Sequence, residues 1–142
     1  MGTFRRRWPG VSYGRGEDWH YVGEAGEPAF GGDWENVGST WPALAFRLRE
    51  AGVVDVVGVI AYVDTGGSEV FVAPDGYRPA SGRMAFVQCY VKYTGSPQLH
   101  EAGVLSINDT GYVEISGPGL TSGSSVVYVS GSYFLTPPAS SP

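Results

Sequence analysis

The sequence predicts an all-β fold, an antiparallel β-sandwich of jelly-roll-like type with an extended N-terminal arm. Three observations predict it. Glycine (22) and proline (10) are abundant in 142 residues and aromatic residues reach 13%, a composition that suits many short strands joined by tight turns. The apolar runs alternate with the period of a strand, and none makes a convincing helix. Turn signals such as Ala51-Gly52, Asp75-Gly76 and Asn108-Asp109-Thr110-Gly111 separate the runs. A chain of this length reads as one domain with a core of its own. The expected division is an arm over 1–16, a sandwich domain over 17–136 and a polar tail over 137–142.

Residues 1–16 are rich in Gly and Arg and show no periodicity. Isolated aromatics in such an arm suit pockets on a neighbouring subunit; a loose terminus is the other reading. Arg5, Arg6, Arg7 and Trp8 are the candidate docking residues, against an acidic or phosphate-rich surface. From Glu17 to Ser39 the glycines and Pro28 exclude a stable helix. Trp19, Phe30 and Trp34 in this loop are expected to pack over the end of the sandwich or between subunits.

Leu44, Phe46 and Leu48 alternate with Ala45, Arg47 and Arg49, so this strand has one apolar and one basic face. Val53 to Val63 is the longest strand signal, and both of its faces are apolar apart from Asp55. Such a strand needs two covers. One is the core. The other is a neighbouring subunit, through Val57, Val59 and Tyr62 together with Trp19, Phe30 and Trp34, or else the arm or tryptophan loop of the same chain.

The stretch from Glu69 to Ala80 is a corner. Val70-Phe71-Val72 is a strand, Pro74 and Pro79 interrupt its ladder, and Asp75-Gly76 turns the chain. Tyr77 follows as an anchor. Met84 to Tyr93 alternates, and Ala85, Val87, Cys89, Val91 and Tyr93 form its expected core face. Strands at 102–107 and 111–115 form a hairpin, and 125–135 is the final strand, with a bulge expected at Gly131. That makes roughly eight strands, with a barrel as the second choice of architecture. The tips at Asp64–Ser68, Thr94–Gln98 and Ser116–Ser124 supply candidate receptor residues Thr65, Ser68, Ser96, Gln98, Ser122 and Ser124.

Charged residues are only 16%, low for a surface wholly in water, so a partner is expected to cover part of it. The net charge of −5 gives no basic footprint for nucleic acid. No signal-peptide core follows the arginines, and no apolar run approaches the roughly 20 residues of a membrane span. The chain is therefore expected to be made in a cytoplasm, with neither signal-led export nor membrane insertion. The single Cys89 excludes an intrachain disulfide and reads as a small buried hydrophobe.

His20 and His100 belong to no metal-spaced set. There is no nucleophile elbow and no phosphate-cradling glycine loop. Asp18, Glu24, Glu27, Asp33 and Glu35 lack the spacing of a calcium loop. Carboxylate pairs such as Glu17-Asp18 read as solvated loop residues, although spacing alone leaves a glycosidase pair open. No catalytic, metal or cofactor residues are assigned, and no enzyme is expected. Trp19, Trp34, Trp41, Tyr77 and Tyr93 are the right residue types to stack on sugars, with core or subunit packing the favoured reading.

The segments W-H-Y-V-G-E-A-G-E-P-A-F-G-G-D-W-E-N-V, P-A-L-A-F-R, V-V-D-V-V-G and V-F-V-A-P-D-G-Y-R-P-A together resemble a domain of tailed-phage minor tail and tail-fibre proteins, common in phages of actinobacteria. The residues that carry it are Trp19, Gly23, Gly26 to Phe30, Trp34, Asn36, Phe46-Arg47, Gly58, Pro74 and Gly76 to Ala80. The resemblance spans about Glu17 to Leu135. It implies a virion structural protein, a knob at a tail tip or fibre end, made in the host cytoplasm. It also implies a homotrimer that is held to other virion proteins by its arm and binds a host cell-surface glycan. Two departures qualify it. This chain is a knob with a short arm rather than the end of a long fibre, and the segment from Tyr93 to His100 differs from the usual pattern. A free-standing knob with an arm also suits a capsid decoration protein.

Overall fold

The computed structural model describes residues 17–50, 52–63, 69–93, 100–116 and 125–135. The arm, the tail and the six candidate receptor residues lie outside them. Among the described residues there are nine strands and no helix. They are β1 (His20–Tyr21), β2 (Trp34–Asn36), β3 (Ala45–Glu50), β4 (Val53–Tyr62), β5 (Glu69–Val72), β6 (Met84–Tyr93), β7 (His100–Asn108), β8 (Tyr112–Ser116) and β9 (Ser125–Phe134). Every pairing is antiparallel. The order is β1-β3-β4-β9-β6-β7-β8-β5, with β2 on β4 off this path.

Local sequence explains the longer strands. In β6, Ala85, Val87, Cys89 and Val91 are buried while Phe86, Gln88 and Tyr90 are exposed, as the two-residue period requires. In β4, Val54, Val56 and Ile60 point into the core with Phe46, Phe71, Leu105, Ile107 and Val127. Each such side chain contributes about 1.5–3 kcal/mol of burial. β1 and β2 were not expected. They have two and three residues, too few to show a period, and exist because β3 and β4 offer them a ladder.

The sheet curls until the ends of its path meet. The Gly31 N–H donates to the Val70 carbonyl at 2.8 Å. Phe46 of β3 stacks on Phe71 of β5 at 5.4 Å and 14°. The bend lies where β9 parts from β6. β9 pairs with β4 over its whole length, but with β6 only from Ser125 to Val129. Beyond that point Val87 lies over β9, and a Cβ at Gly131 would sit 2.5 Å from its Cγ1. The expected bulge is absent, for Gly131 keeps register with Val56. Glycine here admits a close crossing rather than an extra residue.

The corner forms as its residues dictate. β5 ends at Val72, Gly76 takes φ +91° in the turn, and the Arg78 Nε donates to the Ala73 carbonyl at 2.7 Å. The Tyr133 hydroxyl donates to the Tyr77 carbonyl at 2.7 Å. Tyr77 itself meets Phe46 edge-on at 5.0 Å.

Candidate functional site

The antiparallel register gives the domain two poles. At one, Glu17 donates its N–H to the Leu48 carbonyl, and Leu135 donates to Gly52 while accepting from Ala80. The corner and the β7–β8 turn share this end, through Ala73 N–H to Gly111 and Gly82 N–H to Asp109. The described chain therefore begins and finishes at this root pole.

At the other pole, Tyr62 and Tyr93 both lie opposite Ser125, and Lys92 lies opposite His100. Val104, at the middle of β7, aligns with Ser116. The described residues on both sides of 94–99 (which carries Ser96 and Gln98) thus lie at this far pole. So do the one before 64–68 (Thr65, Ser68) and the one after 117–124 (Ser122, Ser124), whereas Glu69 pairs with Glu114 level with Phe86, and Ser116 is level with Val104 at mid-sheet. Sequence alone does not reveal such a gathering, because it depends on strand order.

The candidate interface residues lie mostly within their own chain. Trp34 is 3% exposed and packs on Tyr62 at 4.8 Å. Phe30 and Tyr62 pack against the core. Trp19 is buried beneath the Arg47 guanidinium, 4.5 Å from its ring centre. Val59 is buried and its backbone bonds Val37 and Pro42, so the segment carrying Trp41 runs beside it. Val57 is half-buried. Arg5, Arg6, Arg7 and Trp8 are outside the described residues.

The sequence reading missed an aromatic band on the outer face of β6, β7 and β9. Trp41 meets Tyr128 edge-on at 5.7 Å, Tyr128 meets Tyr90 at 5.7 Å, and Tyr90 meets His100 at 5.4 Å. Phe86 is 62% exposed, Trp41 49% and Tyr90 44%. Val104 of β7 adds an exposed aliphatic group. The signal was the other half of the β6 alternation, where Phe86 and Tyr90 occupy positions that a wet face would give to polar residues.

A polar cluster closes the root pole. His20 Nδ1 lies 3.0 Å from each Glu27 carboxylate oxygen. Its Nε2 lies 2.9 Å from Glu17 Oε2 and 2.9 Å from the Tyr77 hydroxyl. The ring stacks on Phe46 at 5.3 Å. Tyr77 donates its hydroxyl to Glu17. Burial, that hydrogen bond and the charges of Glu17 and Glu27 push the Tyr77 hydroxyl well above its ordinary range. It remains a protonated donor, not a nucleophile. Burial raises Tyr133 likewise. Burial also pushes the Cys89 thiol up to about 11, which keeps it an inert packing group at neutral pH.

Among the described residues, no group of three His, Cys, Asp or Glu side chains could hold a metal ion. No helix long and apolar enough to cross a membrane is present among them. No protein-family model, curated protein or solved structure matches the chain.

Proposed function

We propose that this chain is a virion structural protein of a tailed phage, a minor-tail or tail-fibre knob at the tail tip involved in host attachment. The observation that carries the reading is the polarity of the domain. Glu17 and Leu135, the first and last described residues, lie at the root pole, while the described residues flanking 94–99, the one before 64–68 and the one after 117–124 lie at the far pole. A knob anchored at one end and recognising a surface at the other needs that arrangement. The residues that carry the family resemblance add to it, because Phe46, Tyr77 and the Gly76 turn shape the root pole. In this reading the curled sheet works as a jelly-roll-like sandwich, β1-β3-β4-β9 facing β6-β7-β8-β5, with Phe46 on Phe71 between the layers. The arm docks on other virion proteins, the chain is a homo-oligomer, a trimer by the resemblance, and the far pole meets a cell-surface glycan. No catalytic step is assigned.

Immunogold electron microscopy of intact particles, with antibody to this chain, tests the reading. Gold at the tail tip is the expected result. Gold over the head replaces it with a capsid decoration protein, and no labelled particle removes both. The exposed Trp41, Tyr90 and Phe86 rings favour a carbohydrate-binding module as the reading that would then stand.

A further inference from the structure

We propose that the outer face of β6, β7 and β9 is where two copies of this chain meet, across a two-fold axis that passes close to Val104. This rests on the homo-oligomeric part of the reading above and departs from the trimer that the resemblance implies.

The face is largely apolar, broken on β6 by the exposed Gln88 between Phe86 and Tyr90, and its rings are already ordered. Tyr90 and Tyr128 are cross-strand partners, and their rings touch each other as well as His100 and Trp41. Rings held by neighbours lose little freedom when a partner covers them. Trp41, Phe86 and Tyr90 alone offer about 300 Å² at their observed exposures. Met84 and Val104 are exposed beside them, extending the patch toward the roughly 800 Å² per partner of a standard interface.

Charge selects the occupant. The chain carries −5, so two copies repel each other through most orientations. The outward positions of β6, β7 and β9 hold no acidic side chain, and Lys92 is their one formal charge. On the β4 side the outward acid Asp55 is bonded to Ser132 and paired with Arg47 and Arg49. On the β8 side the nearest is Glu114, opposite Glu69 of β5 and level with Ser106 and therefore with Phe86.

Those two charges make the face self-complementary. Lys92 and Glu114 stand two strands apart and six residues apart along the strands, roughly 10 Å by 20 Å. The midpoint between them falls on β7 beside Val104. An axis in the plane of the face, through that midpoint and across the line joining the two residues, lays Lys92 on Glu114 of the partner subunit. On the regular strand spacing, the same rotation brings Phe86 to Tyr128 of the partner subunit and Tyr90 to the partner's Val104. One operation thus pairs unlike charges twice and ring with ring twice, as an isologous contact requires.

Sedimentation velocity of the full chain over a wide concentration range tests this. The wild type is expected to reach the mass of a dimer. Tyr90→Asp should leave a monomer whose far-ultraviolet circular dichroism is unchanged, because the side chain is exposed. Lys92→Glu and Glu114→Lys should each weaken association about tenfold. The double variant keeps the net charge of the wild type and should return affinity to near its original value. A wild type that stays monomeric or forms trimers overturns the proposal. So does a double variant no better than the singles, because two-fold pairing demands rescue. Particle labelling and chain mass are separate readouts, so failure of the tail-tip reading is distinguishable from failure of this one.

Discussion

Over β3 and β4 the chain covers its own outer face. Asp55 accepts from Arg49 Nε at 3.0 Å, from Arg47 Nε at 3.4 Å and from the Ser132 hydroxyl at 2.7 Å. Arg47 lies on Trp19, and the segment from Val37 to Pro42 runs alongside Val59. Over β6 and β7, Phe86, Tyr90 and Val104 face outward and remain exposed. Both faces belong to one curled sheet, and both are more apolar than a wet face should be. One reaches that state by folding distant parts of the chain over itself. The other holds its rings in place only through neighbours within the sheet and the Trp41 segment. The covered face is therefore a stability element, while the open one stays exposed among the described residues.

Substitutions should separate the two faces by size of effect. Phe46→Ala, beneath the covered side, removes the ring that meets His20, Phe71 and Tyr77. It should cost about 3–5 kcal/mol in urea unfolding. Asp55→Ala leaves two arginines and Ser132 without their shared acceptor. Loss of charge-assisted bonds at a mostly buried carboxylate should cost about 2 kcal/mol by the same assay. An Asp55 variant as stable as the wild type would mean that the cover is decorative.

Tyr77→Phe removes only the hydroxyl between Glu17 and His20, and should cost about 1 kcal/mol. Alkali should produce a smaller, graded loss. Cys89, Tyr77 and Tyr133 hold their protons more tightly in the folded chain than in the unfolded one. Their contribution is therefore intact below the ordinary thiol value of 9.0 and declines as pH rises toward about 11. Thermal melts of Cys89→Ala should lack the first part of that decline. Smallest of all, Phe86→Ser on the open face should change monomer stability by no more than about 0.5 kcal/mol. A large loss there would erase the distinction between the faces.

Much of the framework was legible because it is local. The corner declared itself through Pro74, Asp75-Gly76 and Tyr77, and the β6 alternation named Ala85, Val87, Cys89 and Val91 as inward. The rest depends on strand order or on remote partners. Glu17 and His20 meet Tyr77 across 60 and 57 residues, and no spacing rule links them. Gly131 reads as a bulge in one dimension and as a crossing point in three. The apolar outer face of β4 was recognised correctly, but periodicity does not say what covers it. The meeting of the ends of β4, β6 and β9 at the far pole was equally hidden, since it follows from β9 lying between β4 and β6.

The lengthwise separation of the poles has a mechanical consequence. If the root pole is fixed and the far pole is gripped, tension runs along the strands instead of across them. β9 shares ten register pairs with β4, while β6 shares nine with β7. Under such a load many bonds of a ladder must slip together, whereas a sideways pull breaks them one after another. The domain should therefore resist tugging from tip to base far better than peeling from the side, a useful bias for any part that tethers one body to another.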